Sequence, residues 1–138
     1  MKNIFLALSI LFLFACNSQE GTPWEAQYDE VMVIHDEVMP EISTIVKLQS
    51  KLKKFEESQG DSMPEAMKNT IGELRRTLTQ AEEGMFDWMH AFKKPDRNQD
   101  PEKVKAYLAS EMVKITKVSQ DMKSSISNTE AFLKDTQH

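Results

Sequence analysis

Apolar positions recur along the chain at alternating steps of three and four, the period of a helix face. The first such stripe is Trp24, Val31, Ile34, Val38, Ile45, Leu48, Leu52 and Phe55, with Ile42 and Val46 widening it. It predicts a helix from about Trp24 to Glu57. Pro40 lies inside that helix, where it removes one backbone bond and crowds the carbonyl of Asp36. A kink or break is expected there. The second stripe is Met67, Ile71, Leu74, Leu78, Ala81, Met85, Trp88 and Phe92, a heptad without a fault. The third is Val104, Leu108, Met112, Ile115, Val118, Met122, Ile126, Thr129 and Leu133.

Turn chemistry separates the stripes. Ser58-Gln59-Gly60-Asp61 reads as a turn, and Ser62-Met63-Pro64-Glu65 as a helix start. Ser62 is placed to cap and Glu65 to reach back to it, with proline tolerated in the first turn. Lys93 to Gln99 form the next loop, and Asp100-Pro101-Glu102 restart a helix by the same logic. Three helices of about 31–35 residues, each about 50 Å long at 1.5 Å per residue, follow from this spacing. Short connections force antiparallel neighbours. The fold class is all-α: an elongated antiparallel three-helix bundle, coiled-coil-like, with helix 1 kinked near Pro40.

Charge agrees with that layout. Trp24 to Glu41 holds Glu25, Asp29, Glu30, Asp36, Glu37 and Glu41 and no Lys or Arg, while Lys47, Lys51, Lys53 and Lys54 follow. The order complements the helix dipole. In an antiparallel pair the acidic start of helix 1 meets Lys93, Lys94 and Arg97.

The N-terminus has a different pattern. Met1-Lys2-Asn3 precedes an apolar run from Ile4 to Ala15. One basic residue, about a dozen apolar ones and a small residue at the end describe a secretory signal. The run falls short of the about 20 residues that span a bilayer. Leu13-Phe14-Ala15-Cys16 resembles the bacterial lipobox, with Phe14 at its permissive position. The expected product begins at Cys16 as a lipid-bearing residue. Cys16 is the only cysteine in the chain, which rules out an internal disulfide. Asn17 stands where an aspartate would resemble an inner-membrane retention signal, so the outer membrane is favoured, on either its periplasmic or its surface face. The expected organisation is a signal peptide over 1–15, a lipidated N-terminus and tether over 16–23, and a helical domain over 24–138.

Removing residues 1–15 takes away Lys2 and no acid, so the formal net charge moves from −5 to −6. An acidic domain is a poor match for nucleic acid. No nucleophile–base motif, glycine-rich phosphate loop or Cys-x-x-Cys pair occurs, which points away from an enzyme. The remaining chemistry lies in methionine and histidine. Met32-x-x-His35-x-x-x-Met39 and Met85-x-x-x-Met89-His90 fall at one height if helices 1 and 2 are antiparallel, with His35 level with Met85. Thioether and imidazole suit Cu(I). At about 100° per residue His35 lies about 70° off the core line, Met32 and Met39 lie beyond about 100°, and His90 is nearly opposite the core. A rim site of His35, Met85 and Met89 is the metal-binding alternative, and methionines filling a bundle core the plainer account. Phe86, about 130° from the core line of its helix, could form a docking patch with Met89 beside the Pro40 kink.

The stretch Tyr28-Asp29-Glu30-Val31-Met32-Val33-Ile34-His35-Asp36-Glu37-Val38-Met39-Pro40-Glu41-Ile42, with Trp88-Met89 and the lipobox, resembles a group of small helical lipoproteins of the Bacteroidota. These often carry the label "viral A-type inclusion protein". The resemblance implies a helical lipoprotein and assigns no activity, so no site residue is carried over from it. The expected function is a lipid-anchored, non-enzymatic interaction module of the cell envelope. Its expected partners are the membrane, through the anchor, and another envelope protein. The alternative is a periplasmic copper-binding protein.

Overall fold

The computed structural model describes residues 21–136. The expected signal segment over 1–15 and Cys16 lie outside the described residues. The chain is a helical bundle of α1 (Glu25–Val38), α2 (Ile42–Gln59), α3 (Glu65–Ala91) and α4 (Pro101–Asp135). α1 and α2 run on from one another as the interrupted first helix, α3 returns, and α4 runs beside both. Among the described residues no strand occurs, and no helix is long and apolar enough to cross a membrane.

Pro40 interrupts the first helix without ending it. Met39–Glu41 form a single 3-10 turn between α1 and α2. The residues around it keep right-handed helical dihedrals, from Val38 (φ −101°, ψ −19°) to Ile42 (φ −52°, ψ −41°). A tighter turn places proline at its start, where the missing N–H costs least. The rotation per residue changes there. Met39, expected well off the core line, packs against the core instead. Val46, expected to widen the stripe, is exposed.

The two later helix starts differ. At α4, Asp100 Oδ1 accepts the Glu102 N–H at 3.0 Å, and Pro101 occupies the first helical position. This is the cap the sequence calls for. At α3 the expected cap does not form. Pro64 occupies the N-cap position and no side chain caps it. Ser62 Oγ donates backwards to the Gln59 carbonyl at 2.7 Å, closing the 3-10 turn Gly60–Ser62. Gly60 has φ 57°, a backbone that favours glycine. Met63, extended and buried, plugs the bundle beneath this turn. The chain therefore spends Ser62 on the turn, and α3 begins three residues later. It has 27 residues, shorter than the expected near-equal length.

The core follows the stripes. Val31, Val38, Ile45, Leu48 and Leu52 from α1 and α2 meet Ile71, Leu78, Ala81, Met85 and Trp88 from α3 and Ile115, Met122 and Leu133 from α4. Packing goes beyond the expected stripe in α4. Glu111, Ser119 and Ser125 are buried, while Met112, Val118 and Ile126 are half-buried against the core. The reason is position: α4 packs against α1, α2 and α3, so its buried band is wider than one seam. Small polar residues fit the close contacts, and two satisfy themselves within the helix. Ser125 Oγ donates to the Met122 carbonyl at 2.9 Å and Thr129 Oγ1 to the Ser125 carbonyl at 2.8 Å.

Candidate functional site

The residues that carry chemistry gather at one end of the bundle. This corner holds the start of α1, the end of α3 and the start of α4. A small cluster of Trp24, Val104 and Leu108 closes it, with Tyr28, Phe92 and Tyr107 packed around. Phe92 lies at its centre. Its ring stacks on Trp88 at 4.8 Å between centroids and on Tyr107 at 6.1 Å, and meets Tyr28 at 6.1 Å. Offset aromatic contacts of this kind add to the burial of their area. Phe92 can occupy this place because α3 stops at Ala91 and Phe92 itself turns extended (φ −62°, ψ 131°).

His35 lies at the edge of the aromatic group. Its ring lies tilted against Trp88 at 5.6 Å between centroids. The sequence set it level with Met85; the structure puts its ring against Trp88, one helical turn further along α3. Its Nδ1 is 2.8 Å from Asp36 Oδ1, and its side chain is 16% exposed. Met85 is fully buried in the core. Met89 lies on the outer flank of α3 at 38% exposure, beside His90. The three candidate ligands therefore occupy three environments: a rim imidazole held by a carboxylate, an enclosed thioether and a surface thioether. Among the described residues no group of three or more His, Cys, Asp or Glu side chains is placed to hold a metal ion. Phe86, the other half of the expected docking patch, is exposed at 37%.

Charges tie the corner together. Arg97 Nη2 reaches Glu25 Oε1 at 3.1 Å, linking the α3–α4 loop to the start of α1. The Lys94 ammonium lies 5.3 Å from the centroid of the Tyr28 ring, a cation–π distance. One turn into α4 from Tyr107, Glu111 is buried, and its Oε1 accepts from the more exposed Lys114 at 2.7 Å. This bond, followed by the charge of Glu111, holds the Lys114 ammonium above its ordinary pKa. On α3 the Glu73 carboxyl is held below its ordinary value, first by its hydrogen bond to Arg76.

The corner also holds polar groups that the described residues leave unpaired. Thr22 Oγ1, Gln27 Oε1, Trp88 Nε1 and Glu111 Oε2 are all buried without a hydrogen-bond partner. Unpaired buried polar atoms are costly and call for an explanation.

Beside these groups a pocket of about 480 Å³ opens between the α3–α4 loop and the first turns of α4. Pro95, Val104 and Tyr107 give it an apolar wall, and Lys93, Lys94 and Lys103 stand on its rim. The Lys93 N–H donates to Tyr107 Oη at 2.8 Å, which fixes the loop to the helix.

No family model, curated protein or solved structure matches the chain.

The sequence marked Lys93, Lys94 and Arg97 only as partners for the acidic start of α1. The pocket itself went unmarked. Its signal was present: two lysines and a proline directly after Phe92, facing Lys103 and Tyr107 spaced one turn apart.

Proposed function

We propose that the chain is a lipid-anchored helical bundle of the cell envelope, acting as a non-enzymatic interaction module. Cys16 carries the lipid, and the outer membrane is its site. The lipobox-like Leu13-Phe14-Ala15-Cys16 supports the anchor, and the likeness to the small Bacteroidota lipoproteins belongs to the same reading. The observation that carries the proposal is where α1 begins. Glu25 is joined to Arg97 of the α3–α4 loop, so the tether enters at the corner that also bears Lys93, Lys94 and Lys103. Eight residues from Cys16 to Trp24 reach at most about 29 Å when extended. An anchor at Cys16 would hold this corner near a bilayer, where lysine and arginine favour anionic headgroups. Phe86 and Met89 on α3, both partly exposed, give another envelope protein an apolar point of contact.

Labelled palmitate and cell fractionation test the reading. The wild-type chain should take up label and sediment with membranes, and Cys16→Ala should do neither. A photo-crosslinker at Phe86 should yield one discrete adduct with another envelope protein, absent when the crosslinker sits at Val113. A soluble native protein with an unmodified N-terminus contradicts the anchor. A submicromolar Cu(I) affinity that vanishes in His35→Ala contradicts the interaction role and favours a metal carrier.

A further inference from the structure

We infer that the pocket at the α3–α4 corner is a binding site for a phosphate group carried on a short apolar stem. The inference stands on the pocket's own chemistry and holds whether or not Cys16 carries lipid.

The volume, about 480 Å³, lies within the usual range of small-molecule sites, about 300–1,000 Å³. Buried Pro95 and Val104, with the half-buried ring of Tyr107, offer an apolar surface for a stem. The rim is cationic although the chain carries a formal net charge of −5. Among the described residues no carboxylate lies within ion-pair distance of Lys93, Lys94 or Lys103, whereas Arg97 and Lys105 beside them are paired with Glu25 and Glu102. Lys93 Nζ makes only a long contact, 3.5 Å, to the His90 carbonyl, and Lys94 lies over Tyr28.

The remaining polar groups of the pocket sort the same way. Tyr107 Oη already accepts the Lys93 N–H, and its own proton has no acceptor among the described residues. Gln99 Oε1 accepts the Asp96 N–H at 3.1 Å, which leaves its amide hydrogens to donate. Asp100 is the single carboxylate on the rim, and its Oδ1 is spent on capping α4. Tyr107 Oη, Gln99 Oε1 and one of the two Asp100 oxygens thus accept within the fold, while three ammonium groups, a phenol and an amide remain as donors. That is the complement of an anion, and three cations against one carboxylate suit a doubly charged phosphate monoester. The same headgroup chemistry could come from a soluble phosphate ester or from a phospholipid.

Amide shifts of the full chain in nanodiscs test the site. The soluble source is probed with hexyl phosphate, with hexanol as control, and the lipid source by comparing phosphatidylcholine discs with discs that also contain phosphatidic acid, whose headgroup is a phosphate monoester. Saturable shifts confined to residues 93–107 are expected from one source and not from hexanol. Shifts with hexyl phosphate alone identify a soluble ester, and shifts with phosphatidic acid alone identify a headgroup. In K94Q/K103Q the affinity should fall about tenfold or more, because charge-assisted bonds are lost. Tyr107→Phe should weaken it several-fold with charge unchanged. K94Q/K103Q should keep the wild-type helical circular dichroism, since Lys94 and Lys103 are exposed, and Tyr107→Phe should keep it because the ring stays in place and only the loop contact from the Lys93 N–H is lost. No saturable shift from either source overturns the site, as do equal shifts with hexanol or an affinity untouched in K94Q/K103Q.

Discussion

The two ends of the bundle are built differently. At the far end, beneath the α2–α3 turn, Leu48, Leu52, Met63, Ile71 and Leu133 are buried, and Phe55 meets Phe132 edge-on at 5.8 Å. No buried side-chain polar atom without a partner lies there among the described residues. At the corner, two tryptophans, two tyrosines and Phe92 replace the aliphatic layers. All four unpaired buried polar atoms of the described chain lie in that half, together with the lysine-rimmed pocket. Proteins break local rules where function demands it and compensate elsewhere. The far end obeys the rules. The corner departs from them, and we propose it as the working end.

Truncation in the corner and in the aliphatic middle of the core compares the two kinds of packing, and the largest effect is expected at the corner. Trp88 is 6% exposed and touches His35 and Phe92. Trp88→Ala should cost about 3–5 kcal/mol in denaturant unfolding, the range for a core aromatic. Leu78, fully buried in the aliphatic part of α3, should cost about 2–5 kcal/mol as Leu78→Ala. Trp88→Phe should cost about 1–2 kcal/mol, because the Nε1 it removes has no partner among the described residues. A Trp88→Phe loss as large as that of Trp88→Ala would show that Nε1 is bonded after all.

The helix starts give a smaller contrast. Asp100→Ala should cost about 1 kcal/mol, since its carboxylate caps α4. Ser62→Ala should stay within about 0.5 kcal/mol, since its hydroxyl serves only the turn. Equal costs would mean that Ser62 caps α3 in solution.

The smallest effect concerns pH. The ammonium of Lys114 is held above its ordinary pKa by Glu111. A group raised in the folded state contributes fully below its unfolded pKa and loses that contribution as pH rises through the folded one. The gap in melting temperature between wild type and Lys114→Met should therefore be constant at neutral pH and narrow in the alkaline lysine range. A gap independent of pH would mean that the charge of Lys114 does not matter.

How far the sequence revealed the molecule follows the same division. Where every inward position is apolar, period alone sufficed: the α3 heptad from Ile71 to Trp88 is buried or half-buried at every position. In α4, which faces three neighbours, the stripe missed Glu111, Ser119 and Ser125, because polarity hides a buried position from a count of apolar residues. Pro40 was legible as an interruption, though its 3-10 turn, and the inward place of Met39, came from geometry. The Asp100 cap was legible because side chain and proline agree. The Ser62 cap failed because the same signature also closes a turn after Gly60. Histidine and methionine drew attention to His35, Met85 and Met89, whose surroundings differ too much to be read from spacing. The pocket arises from a loop folded against a helix, an arrangement that no periodicity encodes.

We propose that the corner faces the membrane, and a depth measurement tests this directly. With Cys16 acylated, a cysteine introduced at Gln99 or at Asp61 is a unique attachment point for a fluorophore, since the chain has no other. α4, 35 residues long, extends about 52 Å at 1.5 Å per residue, so the two labels are well separated along the bundle. In native membranes a headgroup-level quencher should quench the label at Gln99 strongly and leave the label at Asp61 nearly unaffected. Equal quenching of both, or stronger quenching at Asp61, would contradict the account.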